Sequence, residues 1–225
     1  MRFIAEKDAG ELKAHLGSIL TAPVSLDLFV RPVTGLWVPG RRECETCDDT
    51  RRLLEEVAAL SDHIVLRVHD VIEEPEAAAV AGLDVDQVPT LVLTGAAQGR
   101  VRFLGIPAGL EFGTLLRSLV DVAHGSTGLA EATREALRGL ARDVHIRVFV
   151  TPTCPFCPGV ARIAHQMAVE SPRVTADVVE AEEFPELAAL YRVRGVPKVV
   201  VNDVVEFVGA QPEALFLEHV LRAAT

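Results

Sequence analysis

The chain has 225 residues, 49% of them hydrophobic, with 32 acidic against 22 basic side chains and a net charge of −10. The acidic excess argues against nucleic acid and against anionic membrane surfaces, both of which call for basic patches. The hydrophobic share excludes disorder, the length suits two cored units of roughly 100–125 residues, and no apolar run approaches the ~18 residues a membrane span needs.

From the N-terminus, Met1-Arg-Phe-Ile-Ala-Glu-Lys-Asp8 becomes charged too early to hold a signal peptide's apolar core, so the expected location is cytoplasmic. Apolar spacing predicts a helix over about 5–20 and a strand over about 24–30 (VSLDLFV). A long segment, Arg31 to Glu43, leads to Cys44-Glu-Thr-Cys47 and a helix reaching about residue 60. A strand over about 63–69, a helix over about 75–82 and a β-hairpin over about 90–105 follow, the hairpin entered through Val88-Pro89. A helix over about 110–123 closes this half. The loop composition of His124-Gly-Ser-Thr-Gly128 then sets a boundary between units of residues 1–124 and 125–225.

The second half repeats the order. It reads as a helix over about 129–141, a strand over about 145–150 (HIRVFV), and Cys154-Pro-Phe-Cys157 opening a helix over about 155–169. Then come a strand over about 174–180, a helix over about 184–192, a hairpin over about 198–208 entered through Val196-Pro197, and a helix over about 212–223. Asn202-Asp203, between valine-rich runs, suits a tight two-residue turn. Cys44 to Cys154 spans 110 residues, Pro89 to Pro197 108, and Gly105 to Gly209 104, so one unit occurs twice with shorter loops in the second copy. Alternating strands and helices imply an α/β fold with parallel crossovers and an antiparallel hairpin at one edge.

All four cysteines lie in the two pairs. A vicinal dithiol at a helix start, with a proline placed to face it, is a thiol–disulfide exchange site. The helix N-terminus supplies partial positive charge and free N–H groups that lower a thiol pKa. Two intervening residues bring the second sulfur within bonding reach. The first cysteine attacks and the second, more buried, resolves the mixed disulfide. Cys154 is therefore the expected nucleophile and Cys157 the resolving thiol, with Cys44 and Cys47 as counterparts and Cys44–Cys47 and Cys154–Cys157 as redox disulfides. Pro155 suits a first helical turn, where its missing N–H costs nothing. The doubled Val-Pro predicts cis bonds at Pro89 and Pro197, with Val88 and Val196 turned toward an extended substrate.

The two sites are not expected to be equal. No charged side chain lies between Thr151 and Val160, whereas Glu43, Glu45, Asp48 and Asp49 flank the first pair with only Arg41 and Arg42 opposing. Like charge disfavours a thiolate, so Cys44 is predicted to be the weaker nucleophile. A carboxylate under each dithiol would accept the resolving thiol's proton. Glu180 and Asp70 hold matching places, each five residues before a helix-opening proline, with His69 as a competitor in the first half. An acid at a helix entrance is the simpler role for both. Three lysines against nineteen arginines, and Asn202 as the sole asparagine, fit either a heat-adapted source or a GC-rich genome.

With these residues in view, the chain resembles the protein disulfide oxidoreductases of thermophilic archaea and bacteria, which carry two thioredoxin folds in one polypeptide. The likeness rests on Val148-Phe-Val-Thr-Pro-Thr-Cys-Pro-Phe-Cys-Pro158, Val196-Pro-Lys198, Val205-Glu-Phe-Val-Gly209 and Arg102-Phe-Leu-Gly-Ile-Pro-Ala-Gly109, and covers nearly the whole chain. It implies two tandem thioredoxin-like folds, each a mixed four-stranded sheet flanked by helices. It also implies exchange with protein disulfides, with no bound cofactor and with electrons from an NAD(P)H-dependent, thioredoxin reductase-like flavoprotein. The arrangement is also similar to the N-terminal domain of the alkyl hydroperoxide reductase flavoprotein, which keeps only its second dithiol and has a glutamate base where Glu180 stands. That implies an alternative role, as dedicated electron donor to a peroxiredoxin. The chain departs from the pattern in Arg31 to Glu43, which places the sole tryptophan, Trp37, near the first dithiol.

Two other readings compete. A shared zinc site would have to bridge the 106 residues between Cys47 and Cys154, against roughly 15–20 in common ribbons, so no metal is expected. His15, His63, His124, His145, His165 and His219 lack ligand spacing. A partner-binding module with incidental dithiols is the non-enzymatic reading, which an intact second motif argues against.

Overall fold

A computed structural model describes residues 2–31 and 43–225. Trp37, Arg41 and Arg42 lie outside the described residues. The first half runs α1 (Glu6–Ile19), β1 (Val24–Val30), α2 (Cys47–Ala58), β2 (Ile64–Asp70), α3 (Pro75–Ala81), β3 (Thr90–Thr94), β4 (Arg100–Leu104) and α4 (Glu111–His124). The second runs α5 (Glu131–Arg138), β5 (Val144–Val150), α6 (Cys157–Glu170), β6 (Val174–Glu180), α7 (Pro185–Leu190), β7 (Lys198–Val201), β8 (Val205–Val208) and α8 (Glu213–Ala223).

Alternation sets the strands. In β1, Val24, Leu26 and Leu28 are buried while Ser25 and Asp27 are half-buried, and β5 repeats this with Val144, Ile146 and Val148. In each half the first strand pairs in parallel with the second and antiparallel with the third, which closes a hairpin with the fourth. Matching hydrogen bonds seal the copies: Gly105 N–H to Pro89 O and Gly209 N–H to Pro197 O, with both glycines at φ near +90°. Only glycine reaches that backbone without strain. The β7–β8 connection takes three residues, Asn202 to Val204, rather than two, with Asn202 and Asp203 both at positive φ.

The four-stranded sheets are not separate. β4 pairs in parallel with β6, giving one eight-stranded sheet in the order β2-β1-β3-β4-β6-β5-β7-β8 among the described residues. The first hairpin is therefore interior to the sheet rather than at an edge. One face carries a continuous apolar core through both halves, joining Leu28 and Phe103 to Val148 and Met167. The other carries two separate clusters, around Phe29 and Val71 in the first half and around Phe149 and Phe184 in the second. Among the described residues no helix is long and apolar enough to cross a membrane.

Candidate active site

Each Cys-x-x-Cys pair is closed as a disulfide, Cys44–Cys47 and Cys154–Cys157, with Cα atoms 5.5 Å apart in both. The helices start later than the sequence suggests. α2 begins at Cys47 and α6 at Cys157, so the first cysteine of each pair stands in the turn ahead of the helix. Pro158, not Pro155, occupies the first helical turn of α6. Its missing N–H falls where no intrahelical bond would form. Cys154 retains 8% exposure and Cys157 none, the asymmetry expected of an attacking and a resolving sulfur. Phe156, between them in sequence, is 66% exposed.

Both Val-Pro bonds are cis. Pro89 and Pro197 are buried and enter β3 and β7, while Val88 and Val196 are half-buried. Val196 packs on the core cluster that holds Cys154 and Cys157. Val88 lines a cleft of about 690 Å³ together with Cys44.

The two acids hold equivalent places, with Asp70 opposite Val30 and Glu180 opposite Val150 at the ends of parallel pairs. Their surroundings differ. Asp70 is half-buried, and its Oδ1 accepts the N–H groups of Ile72 (2.8 Å) and Glu73 (3.4 Å), which caps the turn. Glu180 is buried; its Oε2 accepts the Glu183 N–H at 2.6 Å, and its Oε1 has no partner among the described residues. Burial pushes its carboxyl up to about 6, against the N–H groups of Glu183 and Glu182. His69 stacks on Phe29 and contacts Glu74 and Asp27 on the outer face of the first half.

The cleft at Cys44 is walled by both halves. Glu43 and Glu45 line it together with Glu180, Glu182 and Glu183, and so does Pro152 of the second dithiol's loop. Glu180, expected beneath the second dithiol, thus lines the cleft at the first. Among the described residues no cluster of three or more His, Cys, Asp or Glu side chains is disposed to hold a metal ion.

A thioredoxin domain model matches residues 144–222. The thioredoxin of Methanocaldococcus jannaschii is 35% identical over 78 residues, covering 34% of this chain and 92% of that protein. The alkyl hydroperoxide reductase AhpF of Xanthomonas campestris pv. phaseoli is 30% identical over 152 residues, 67% of this chain, and the match spans about a quarter (26%) of that relative's length. The solved structure of a protein disulfide oxidoreductase from Aeropyrum pernix superposes with a TM-score of 0.86 at 31% identity, covering 98% of this chain and 93% of that one. The chain belongs to the thioredoxin-fold protein disulfide oxidoreductase family. An alkyl hydroperoxide reductase AhpF structure from Enterococcus faecalis shares the tandem arrangement, with a TM-score of 0.84, 25% identity and 97% of this chain covered.

In this family member, sequence reasoning alone overlooked three features. Glu111, at the start of α4, is buried, and burial lifts its carboxyl to about 7 against the Thr114 hydroxyl. It lines a cavity of about 10 Å³ with Glu180 and Pro152. Arg102 and Asp177 form a buried bidentate pair across the β4–β6 seam, at 2.6 and 2.8 Å, joined by His145 at 2.6 Å. The signal was present, since each charge interrupts an apolar strand, and a charge there requires a partner. Thr46, inside the first dithiol, donates its hydroxyl to Glu183 of the other half, a contact no local pattern announces.

Proposed function

We propose that this protein catalyses thiol–disulfide exchange with protein disulfides through both dithiols, chiefly Cys154–Cys157. The observation carrying the reading is the asymmetric second pair: a cysteine that keeps 8% exposure ahead of a helix, bonded to a fully buried one at the helix start. In the reducing direction the Cys154 thiolate attacks a substrate sulfur, forms a mixed disulfide and expels one substrate thiolate. Cys157 gives its proton to Glu180, attacks the Cys154 sulfur and releases the second thiolate. The enzyme ends as the disulfide, having passed two electrons to the substrate. Val196 and Pro197, and Val88 and Pro89 in the first half, line the substrate path.

Residues 1–124 and 125–225 act as two thioredoxin-like units, and Cys44–Cys47 is the weaker site. The carboxylates around its cleft disfavour a thiolate. An NAD(P)H-dependent flavoprotein of the thioredoxin reductase kind resupplies electrons, and the work is placed in the cytoplasm, where vicinal dithiols serve exchange more often than structure. The likeness to alkyl hydroperoxide reductase AhpF favours a second reading, a dedicated donor to a peroxiredoxin.

Insulin reduction tests the first reading. Cys154→Ser is expected to lower turnover by roughly a hundredfold and Cys44→Ser by less than about threefold, since only a thiolate at the leading position can attack. Full activity of Cys154→Ser would sink it. Turnover with a peroxiredoxin but not insulin would favour the second.

A further inference from the structure

Glu183 belongs to the second half yet holds the first dithiol. Its Oε2 accepts the Thr46 hydroxyl, its Oε1 accepts the Ile106 N–H at 2.8 Å, and its own N–H donates to Glu180 Oε2 at 2.6 Å. Gly105 presses on the same turn: a Cβ there would lie 2.7 Å from Glu180 Cβ and 2.8 Å from Glu183 Oε1. Gly105 therefore bounds the turn from Glu180 to Glu183 on one side, and the grip of the Glu183 side chain on Thr46 and Ile106 holds it in place. Thr46 sits between Cys44 and Cys47 at the N-cap position of α2, so it moves with the first dithiol.

We propose that Glu183 is a positioning residue that couples the two dithiols: through Thr46, the turn of the first sets how firmly the Glu183 N–H engages Glu180, the proton acceptor of the second. This rests on the role given to Glu180 above. The physical step is short. An N–H donated to a carboxylate favours the ionised form, so loosening the Glu183 turn raises the Glu180 titration midpoint. Beside the Glu183 N–H, the Glu182 N–H also acts on Glu180, and Oε1 is unpartnered among the described residues. Among the described residues the charged groups around it are acidic: Glu182 and Glu183 on its own turn, Glu111 at the small cavity, and Glu43, Glu45, Asp84, Asp86 and Glu186 along the cleft. Their carboxylates, ionised, cannot replace a lost donor.

The coupling can be read without turnover, by carboxyl-carbon NMR titration of Glu180 in the full chain with both disulfides oxidised. The resonance is assigned by its loss in Glu180→Gln. Thr46→Val is expected to raise the midpoint so that the ratio of protonated to ionised Glu180 at a given pH increases about threefold. Thr46→Ser, which keeps the hydroxyl, should leave it at the wild-type position. In a Glu183→Ala background Thr46→Val should add nothing, since the carboxylate it reaches is gone. An unmoved midpoint in Thr46→Val overturns the proposal, as does an equal shift with and without Glu183. If Glu183→Ala does not fold, the Val and Ser variants of Thr46 decide alone. A shifted midpoint together with insulin reduction indifferent to Cys154→Ser would keep the coupling and remove the exchange reading, so the two fail separately.

Discussion

Burial lifts the Glu180 carboxyl to about 6 from its ordinary 4.5; the N–H groups of Glu183 and Glu182 oppose the rise and their carboxylates add to it. A base in that range is ionised at neutral pH yet close enough to accept a thiol proton. The carboxylate form is lost as pH falls through about 6, so resolution at Cys157 should slow on that limb. Glu180→Gln should slow resolution by roughly a hundredfold at neutral pH and abolish the limb, as measured by stopped-flow release of a chromophoric thiolate from a Cys154 mixed disulfide. The stability effect has the opposite sign. A carboxyl raised on folding contributes stability that is present below its unfolded pKa and lost as pH rises through the folded value. Glu180→Gln should therefore unfold at higher denaturant than wild type at neutral pH, while working more slowly. A variant that is both slower and less stable would mark Glu180 as structural.

At the level of elements, the seam between β4 and β6 joins the halves, and its centre is polar. Arg102 forks onto both oxygens of Asp177 and also donates to Ala81 O and Gly82 O, which ties the end of α3 to the seam. Burial pushes the Asp177 carboxyl up, but the His145 hydrogen bond and the Arg102 charge outweigh it and hold the group down at about 2. That contribution is present above pH 3.8, the ordinary aspartate value, and is lost as pH falls toward about 2. Removing one partner strands a buried guanidinium. Asp177→Asn should cost roughly 3 kcal/mol in urea unfolding at neutral pH, since breaking a buried pair leaves an uncompensated charge. A loss below about 1 kcal/mol, the surface-pair range, would show that water already screens the pair. Either charge is visible in the sequence as an interruption of an apolar strand. Their pairing is not, because Arg102 and Asp177 are 75 residues apart.

For the molecule as a whole, the core on one face runs without a break through both halves across that seam. Gly99 sits where the first hairpin meets the end of α6, and its N–H donates to Ala168 O at 2.8 Å. A Cβ at this position would lie 2.2 Å from Val174 O and 2.4 Å from Ser171 O, both backbone atoms that cannot yield. Gly99→Ala should force the hairpin off α6 and destabilise the chain by about 2–3 kcal/mol, the cost of overpacking. Gly10→Ala, in the interior of α1 with open space around it, is the contrast and should stabilise by about 0.5–1 kcal/mol. Calorimetry of both variants checks the pair. Similar melting shifts of the same sign would mean that the seam is not tight at Gly99.

The sequence by itself determined what is local or repeated. Strand positions followed from alternation, and the cysteine pairs and cis prolines declared themselves by occurring twice at matching offsets. Helix starts at the dithiols shifted by up to two residues, because the turn holding each first cysteine carries no periodic signal. Tertiary structure alone decided that two sheets become one, that Glu180 differs from its counterpart Asp70, and that Thr46 reaches Glu183 across 137 residues. The reason is physical. Periodicity encodes which face of an element is buried, whereas strand-edge pairing and side-chain partners depend on which surfaces meet once both halves have formed.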